Sequence, residues 1–436
     1  MQTKQNKIGL VWFRNDLRIQ DNAVLQKAIR DNDMVIGCYC FDPRHYETTP
    51  YGFKKTEKFR AQFIIESVQE LRHNLKSLNI ELFVFLDYPE VTLNELTSKH
   101  HISNIYLQKE WTSEEEETLE KVKSNVADYI VFHEIYDQFL FHPEDIPMSF
   151  SEIPQVFTVF RKKVEKYSKV RASITNSRVD AILQIENDTT IPSLEDLGLE
   201  SFDPSPDSAF PFKGGESQAL ERLQDYFFTT KKLGVYKKTR NGLIGKDFSS
   251  KFSPWLANGC ISARTIYHEV KRFEREYFKN QSTYWLIFEL IWRDYFKYIS
   301  LKHQNDIFKI GGILHKDYDW KTDQRLVDKW INGETRSNFV NANMIELKKT
   351  GWMSNRGRQN VGSFLAKDMF VDWRIGAAYF ESLLIDYDVH SNYGNWMYVA
   401  GVGNDPRDRK FNVDLQAERY DSNGKYQRMW LQETLF

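Results

Sequence analysis

Over the first 145 residues a short apolar run alternates with a helical stretch five times, and that alternation leaves one architecture open, a parallel doubly wound sheet. The runs Ile8–Phe13, Met34–Phe41, Leu82–Leu86, Asn104–Leu107 and Tyr129–Phe132 read as strands. Asp21 and Asn22 offer a cap to a helix over Ala23–Arg30. Lys55–Leu78 reads as a long amphipathic helix with Phe59, Phe63, Ile64, Val68, Leu71, Leu75 and Leu78 on one face. Further helices are expected near Val91–Lys99 and Ser113–Lys123. No GxGxxG follows the first strand, so the ordinary dinucleotide fingerprint is absent. Such sheets bind ligands at the carboxyl ends of their strands. Arg14, Asn15, Asp16 and Arg18 follow the first strand there, and Gln108, Lys109 and Glu110 follow the fourth. By itself, RNDLR reads as a charged, capped turn.

Seven prolines between positions 143 and 211 mark a connector, with one helix over Phe157–Lys169. After it the apolar period becomes helical throughout. The helices expected are Ala219–Phe228, Pro254–Gly259, Ala263–Phe278, Thr283–Leu301, Gln324–Asn332, Val340–Lys349, Val361–Asp388 and one starting near Ala417–Arg419. The expected class is therefore α/β plus all-α. It divides into an α/β domain over 1–145, a connector over 146–215 and a helical domain over 216–436.

A net charge of −2 over 436 residues gives no general support for nucleic-acid binding, so any such contact needs a local patch. Two basic segments qualify: Arg161–Arg178 and Lys231–Lys251, each with seven Lys or Arg against one acidic residue. Read as a solvated helix face, the first needs no ligand. The second also holds Arg240, Ser249, Ser250 and Ser253 before a Pro254-led helix, groups that suit a pyrophosphate. Cys38, Cys40 and Cys260 allow no disulfide framework and no four-cysteine cluster. With a polar start, MQTKQNK, and no run long enough to span a membrane, a reducing cytoplasm is expected.

Thr350–Gly403 sets Arg356, Arg358, Asp368, Asp372, Asp386 and Asp388 among three tryptophans. Charges in such a setting are paired or hold a ligand. Within Thr283–Leu301, Glu289 and Arg293 are spaced for an i,i+4 ion pair. Glu289 is also a candidate proton donor, being a carboxylate among aromatic rings. SNYGNW around Asn392 reads as a turn wrapped about a ligand.

The segments VWFRNDLRIQDN, KFRAQFIIESVQEL, SSKFSPWLANGCIS, FELIWRDYF, TGWMSNRGRQN and DWRIGAAYF…DYDVHSNYGNW resemble the photolyase/cryptochrome family along nearly the whole chain. The resemblance implies an α/β antenna domain and a helical domain holding a U-shaped FAD. By motif, Tyr236, Arg240, Ser249, Ser250, Lys251, Phe252 and Ser253 would hold its phosphate and ribose region. Glu289, Arg293, Asn355, Arg358, Asp386 and Asp388 would line the flavin, with Arg358 and Asp386 as a buried pair. Asn392 would face flavin N5, and Asp368 would sit near the adenine. Trp396, Trp373 and Trp320 match the family's electron relay. Glu110 matches the antenna contact to methenyltetrahydrofolate.

The implied dipyrimidine pocket comprises Glu289, Trp292, Asn355, Arg356, Gln359 and Tyr398. Duplex photolyases of this family carry Met where Gln359 stands and Trp where Tyr398 stands. Both exchanges, with GRQN and GNWMY, resemble DASH-type cryptochromes. The implied activity is blue-light repair of cyclobutane pyrimidine dimers, preferentially in single-stranded or looped DNA, with a photoreceptor role besides. Excited reduced flavin would donate one electron to the dimer and recover it after the ring splits. Glu289 would hydrogen-bond or protonate the dimer, and Asn355 and Trp292 would orient it. A monomer is expected. The competing readings are a signalling cryptochrome with little repair, a duplex photolyase and an FAD protein without photochemistry. A (6-4) photolyase would need a histidine where Ser354 or Asn355 stands.

Overall fold

The structure is a computed structural model that describes residues 7–179, 185–316, 318–405 and 407–432. Five parallel strands form one sheet: β1 (Ile8–Trp12), β2 (Met34–Cys40), β3 (Glu81–Phe85), β4 (Asn104–Gln108) and β5 (Val131–Ile135). Their order is β3-β2-β1-β4-β5, with Leu10 of β1 paired to Ile36 on one side and Ile105 on the other. Both faces are covered, which is why the strands read as unbroken apolar runs. On one face Val11, Val35, Leu82 and Tyr106 pack with α1 (Ala23–Asp31) and α2 (Lys58–Lys76). On the other, Leu10, Trp12, Ile36, Phe83 and Ile105 pack with α3 (Pro89–Lys99) and α4 (Ser113–Asn125). Asn22 caps α1 by accepting the Leu25 N–H at 2.9 Å. β5 runs later than Tyr129–Phe132, because β4 continues to Gln108 and pairs it with Ile135.

The chain reverses direction across the sheet between β1 and β4, so the crevice above their carboxyl ends is the natural ligand site. The RNDLR segment does not form a simple surface turn. Arg18 pairs with Asp137 at 2.5 Å, and Arg264 pairs with Asp137 at 2.7 Å and Asp21 at 3.0 Å. These buried charges tie the sheet to the helical layer. Buried ions need such mutual compensation, because desolvation costs each several kcal/mol (an order-of-magnitude figure).

The connector contributes α5 (Phe157–Tyr167). The helical layer follows with α6 (Glu216–Gln224), α7 (Tyr236–Thr239), α8 (Ser253–Ala257), α9 (Ala263–Glu276) and α10 (Gln281–His303). It continues with α11 (Gln324–Ile331), α12 (Asn338–Thr350), α13 (Asn355–Ser363), α14 (Trp373–Leu383), α15 (Val389–Ala400), α16 (Val413–Tyr420) and α17 (Lys425–Leu431). α10 is the axis of this layer; Asn280 and Thr283 box its start. α15 crosses it closely, since a Cβ on Gly394 would lie 2.2 Å from the Phe296 ring.

Two expectations need correcting. Val361–Asp388 is not one helix. A π-helical turn over Phe364–Asp368 ends α13, and Phe370 turns the backbone left-handed with φ 54°. A bridge between Lys321 and Val371 follows, and Asp372 then caps α14. Nor is SNYGNW a turn. It lies inside α15, capped by Asp388, whose side chain accepts the Ser391 N–H at 2.8 Å. The glycine there serves helix crossing rather than chain reversal.

Among the described residues no helix is long and apolar enough to cross a membrane, and no cluster of three or more His, Cys, Asp or Glu could hold a metal. All three cysteines are free.

Candidate active site

A deep cleft opens where α8, α10, α13 and the start of α15 converge. It is lined by Tyr236, Arg240, Ser249, Ser250, Lys251, Phe252, Ser253, Glu289, Arg293, Asn355, Arg358, Asp386 and Asp388, which lie far apart in sequence. The loop before α8 is shaped from behind. Buried Arg222, on α6, donates to the carbonyls of Lys246, Ser249 and Ser250 at 3.2 Å each. Those carbonyls are thus occupied, which leaves the loop's hydroxyls and N–H groups to the cleft. Lys251 takes φ 67°, and its ammonium makes no hydrogen bond among the described residues. It lies 3.5 Å from the Phe248 ring centre and 4.5 Å from that of Trp352. Burial holds the Lys251 ammonium well below the usual lysine range. A buried amine whose charge burial disfavours and which makes no hydrogen bond suits an anionic ligand such as a dinucleotide phosphate, which would restore its charge.

Deeper in, Arg358 Nη2 donates to both oxygens of Asp386 at 2.9 Å, and its Nε donates to the Met353 carbonyl. Asn392 donates its amide to the Ala377 carbonyl at 3.0 Å, which leaves its own carbonyl oxygen for the cavity it lines. Asp388 pairs with Lys297 at 2.9 Å. Burial alone would raise its pKa; Lys297, His390 and Arg293 together hold it far below the usual carboxylate range.

Glu289 pairs with Arg240 at 2.9 Å, not with Arg293. The guanidinium of Arg293 points the other way, to the carbonyls of Gln138 at 2.6 Å and Leu256 at 3.0 Å. Cross-layer packing thus overrides the i,i+4 spacing. Burial raises the Glu289 carboxyl above its ordinary value, partly offset by Arg240.

Gln359 lines the same cavity as Asn392 and accepts from Arg356 Nη1 at 2.8 Å, while Arg356 lies over the Tyr420 ring. Trp292 stacks on Phe157 at 3.7 Å and meets Tyr398 edge-on at 6.3 Å. Tyr398 Oη accepts from Arg409 at 2.7 Å.

Trp396 is buried, lines the cavity beside Asn392 and packs on Gly376, one turn from Trp373 on α14. Trp373 donates to the Ile310 carbonyl at 2.9 Å. Trp320 is half-buried, next to the Lys321–Val371 bridge that leads into α14. One expected residue lies elsewhere. Asp368, at the end of the π-helical turn, does not line the cleft and is paired instead with Arg336 at 2.8 Å and Lys410 at 3.0 Å.

The family model described as FAD binding domain of DNA photolyase matches residues 285–435, and the one described as DNA photolyase matches residues 9–178. Cryptochrome DASH of Danio rerio is 48% identical over 97% of this chain and 82% of its own. Cryptochrome DASH of Xenopus laevis is 46% identical over 98% of this chain and 83% of its own. The chain belongs to the photolyase/cryptochrome family, on its DASH branch. The crystal structure of the Synechocystis sp. PCC6803 cryptochrome superposes with a TM-score of 0.94 at 43% identity, covering 99% of this chain and 90% of that one. The helical layer is therefore the family's FAD-binding domain, and the sheet its photolyase N-terminal domain.

A second cavity of this DASH-branch protein lies at the β1/β4 crevice, between sheet and helical layer. Arg14, Asn15, Gln108 and Glu110 line it from the sheet, and Arg293, Lys297, Asp388 and His390 from the helices. Glu110 accepts from Gln108 at 2.8 Å, and burial raises its carboxyl above the usual range.

Sequence reasoning missed Trp352, Arg222 and Lys297. Lys297 had a signal: Glu289, Arg293 and Lys297 are spaced by four on an otherwise aromatic helix, a polar stripe aimed inward. Arg222 and Trp352 had none, since their roles exist only in the folded chain.

Proposed function

We propose that this protein is a blue-light-driven lyase that splits cyclobutane pyrimidine dimers in single-stranded or looped DNA. The observation that supports this most is the Glu289–Arg240 pair, which lines the same cleft as Arg358 and Asp386, the pair that also lines the cavity of Asn392. It combines a carboxyl raised by burial with a cavity suited to a flavin dinucleotide. FAD, when bound there, supplies the light-excited electron donor. Ser249, Ser250, Ser253, Lys251 and Arg240 would hold its phosphates and ribose, and Arg358, Asp386, Asp388 and Asn392 the ring.

Glu289, protonated more readily than an ordinary carboxyl, would donate a hydrogen bond to the pyrimidine carbonyl that gains charge. Asn355 would orient the base edge, and Trp292 and Tyr398 would form an aromatic wall. Gln359 and Tyr398 make this pocket more polar than a Met and Trp would. Less apolar contact offsets less of the few kcal/mol, roughly, that unstacking a dimer from a duplex costs, a magnitude general to base flipping. Lys162, Lys163, Lys166 and Lys169 are exposed on and just after α5, whose Phe157 stacks on Trp292. They stand beside that wall and suit phosphate contacts that position DNA without reading sequence.

The second cavity suits methenyltetrahydrofolate as an antenna, with Glu110 bonding its pterin. We infer a monomer, and the three free cysteines suit a reducing compartment such as the cytoplasm.

The test is blue-light repair by the reduced protein of one thymine-dimer sequence, offered single-stranded and as duplex at equal salt, because affinity falls steeply with salt. Faster repair of the single strand is expected. Equal or faster duplex repair would make it a duplex photolyase, and no repair of either would leave a signalling photoreceptor.

A further inference from the structure

Among the described residues Asp388 alone lines all three cavities at this site: the interdomain cavity, the dinucleotide cleft and the chamber beside Asn392. Its two oxygens serve different sides. One accepts the Ser391 N–H at 2.8 Å and so caps α15, the helix that carries Asn392 and Trp396. The other meets Lys297 Nζ at 2.9 Å. Lys297 is 4% exposed at its side chain and faces the interdomain cavity, near Glu110. Arg293 completes the wall, lining both the interdomain cavity and the cleft. The wall common to the two cavities is thus Ala257, Arg293 and Asp388, with Lys297 paired to Asp388 from the interdomain side.

Lys297 compensates the buried Asp388 carboxylate, but an ion pair is not the only way to seat the start of α15. Asp388 caps α15 through its other oxygen, and burying an ion pair is at best weakly stabilising against an apolar alternative. What the arrangement does supply is a fixed positive field one residue thick between two ligand sites. Such a field strengthens when water around it is displaced, because the local dielectric falls.

We propose that Lys297 is a positioning residue that, through Asp388, transmits occupancy of the interdomain cavity to the flavin. A folate ring filling that cavity expels water from around Lys297 and Arg293 and unscreens their charge. The anionic reduced flavin is thereby favoured, in the dark and without energy transfer. This rests on the FAD and folate readings above.

The experiment uses the FAD-bound protein in the dark, poised against a redox dye, with and without 5,10-methenyltetrahydrofolate. Folate binding is followed separately by calorimetry. In the wild-type protein folate is expected to raise the ratio of reduced to oxidised flavin about threefold or more. In Lys297→Met the folate-free ratio is expected to fall by a similar factor, and folate to leave it unchanged. Lys297→Arg, which keeps the charge, is expected to restore both. Folate that binds the wild type without moving the ratio overturns the proposal, as does Lys297→Met with a wild-type ratio. Should folate not bind, the antenna reading fails by itself, and the comparison of Lys297→Met with Lys297→Arg still decides whether the lysine acts on the flavin.

Discussion

Glu289 carries the most chemistry of any single side chain in the cleft, and its protonation sets the expected pH behaviour. Burial raises its carboxyl, so the neutral, hydrogen-donating form persists to higher pH than an ordinary glutamic acid would allow. Repair by the wild-type protein is therefore expected to fall as pH climbs through that raised value. Glu289→Gln, neutral at every pH, is expected to flatten the profile and lower the repair rate by about 10- to 100-fold, the worth of one hydrogen bond to a charged group. Its flavin content should stay near wild type, and repair kinetics across pH measure both effects. Trp396 makes a second expectation at this scale. Its indole lines the cavity and adjoins α14 one turn from Trp373, so Trp396→Phe is expected to abolish blue-light reduction of oxidised flavin, followed by absorption. Repair by chemically reduced protein should survive, because that route does not need the relay. Chemistry at this scale was largely legible in sequence, since motifs fix residue types. Partners were legible only in part: the Arg358–Asp386 pair was expected, the others were not. Glu289 chose Arg240 over Arg293, and Asp368 turned away from the cleft, because both outcomes depend on how helices remote in sequence meet.

Among the elements, α15 has the tightest constraint. Gly394 lies against Phe296 of α10 with room for no further carbon. Gly394→Ala is expected to cost about 1–3 kcal/mol by overpacking, read as a lower denaturant midpoint, and to weaken flavin retention, because α15 carries Asn392. The helical period of SNYGNW is hidden by its asparagines and glycine, which favour turns in isolation. Burial of Trp396, Met397 and Val399 overrides that preference. The opposite error occurred over Val361–Asp388, where apolar spacing continues through a real break. The left-handed backbone at Phe370 cannot be read from a phenylalanine, and the bridge from Lys321 that favours it comes from fifty residues away. Strands fared better. A parallel sheet buried on both faces needs continuous apolar runs, so β1 to β4 were found within one or two residues.

At the scale of the whole molecule, a sheet with a ligand crevice is clamped to a helical layer with a ligand cleft. The clamp is the buried network of Arg18, Asp21, Asp137 and Arg264. It fixes the β1/β4 crevice against α10, so that Arg293 and Asp388 line two cavities at once and Lys297 faces one of them instead of solvent. The two layers were legible as a change of apolar period, but their docking was not, because RNDLR reads as a charged, capped turn until Asp137 and Arg264 are seen beside it. Everything functional depends on the cleft holding a flavin dinucleotide. The most direct measurement is therefore the FAD released on denaturing the purified protein, counted per chain, with Asp386→Asn alongside. About one FAD per chain in the wild type, after reconstitution if needed, and a several-fold lower content in the variant are expected, since Asn cannot hold Arg358 as an ion pair. A wild-type protein that remains colourless and takes up no FAD would contradict the account.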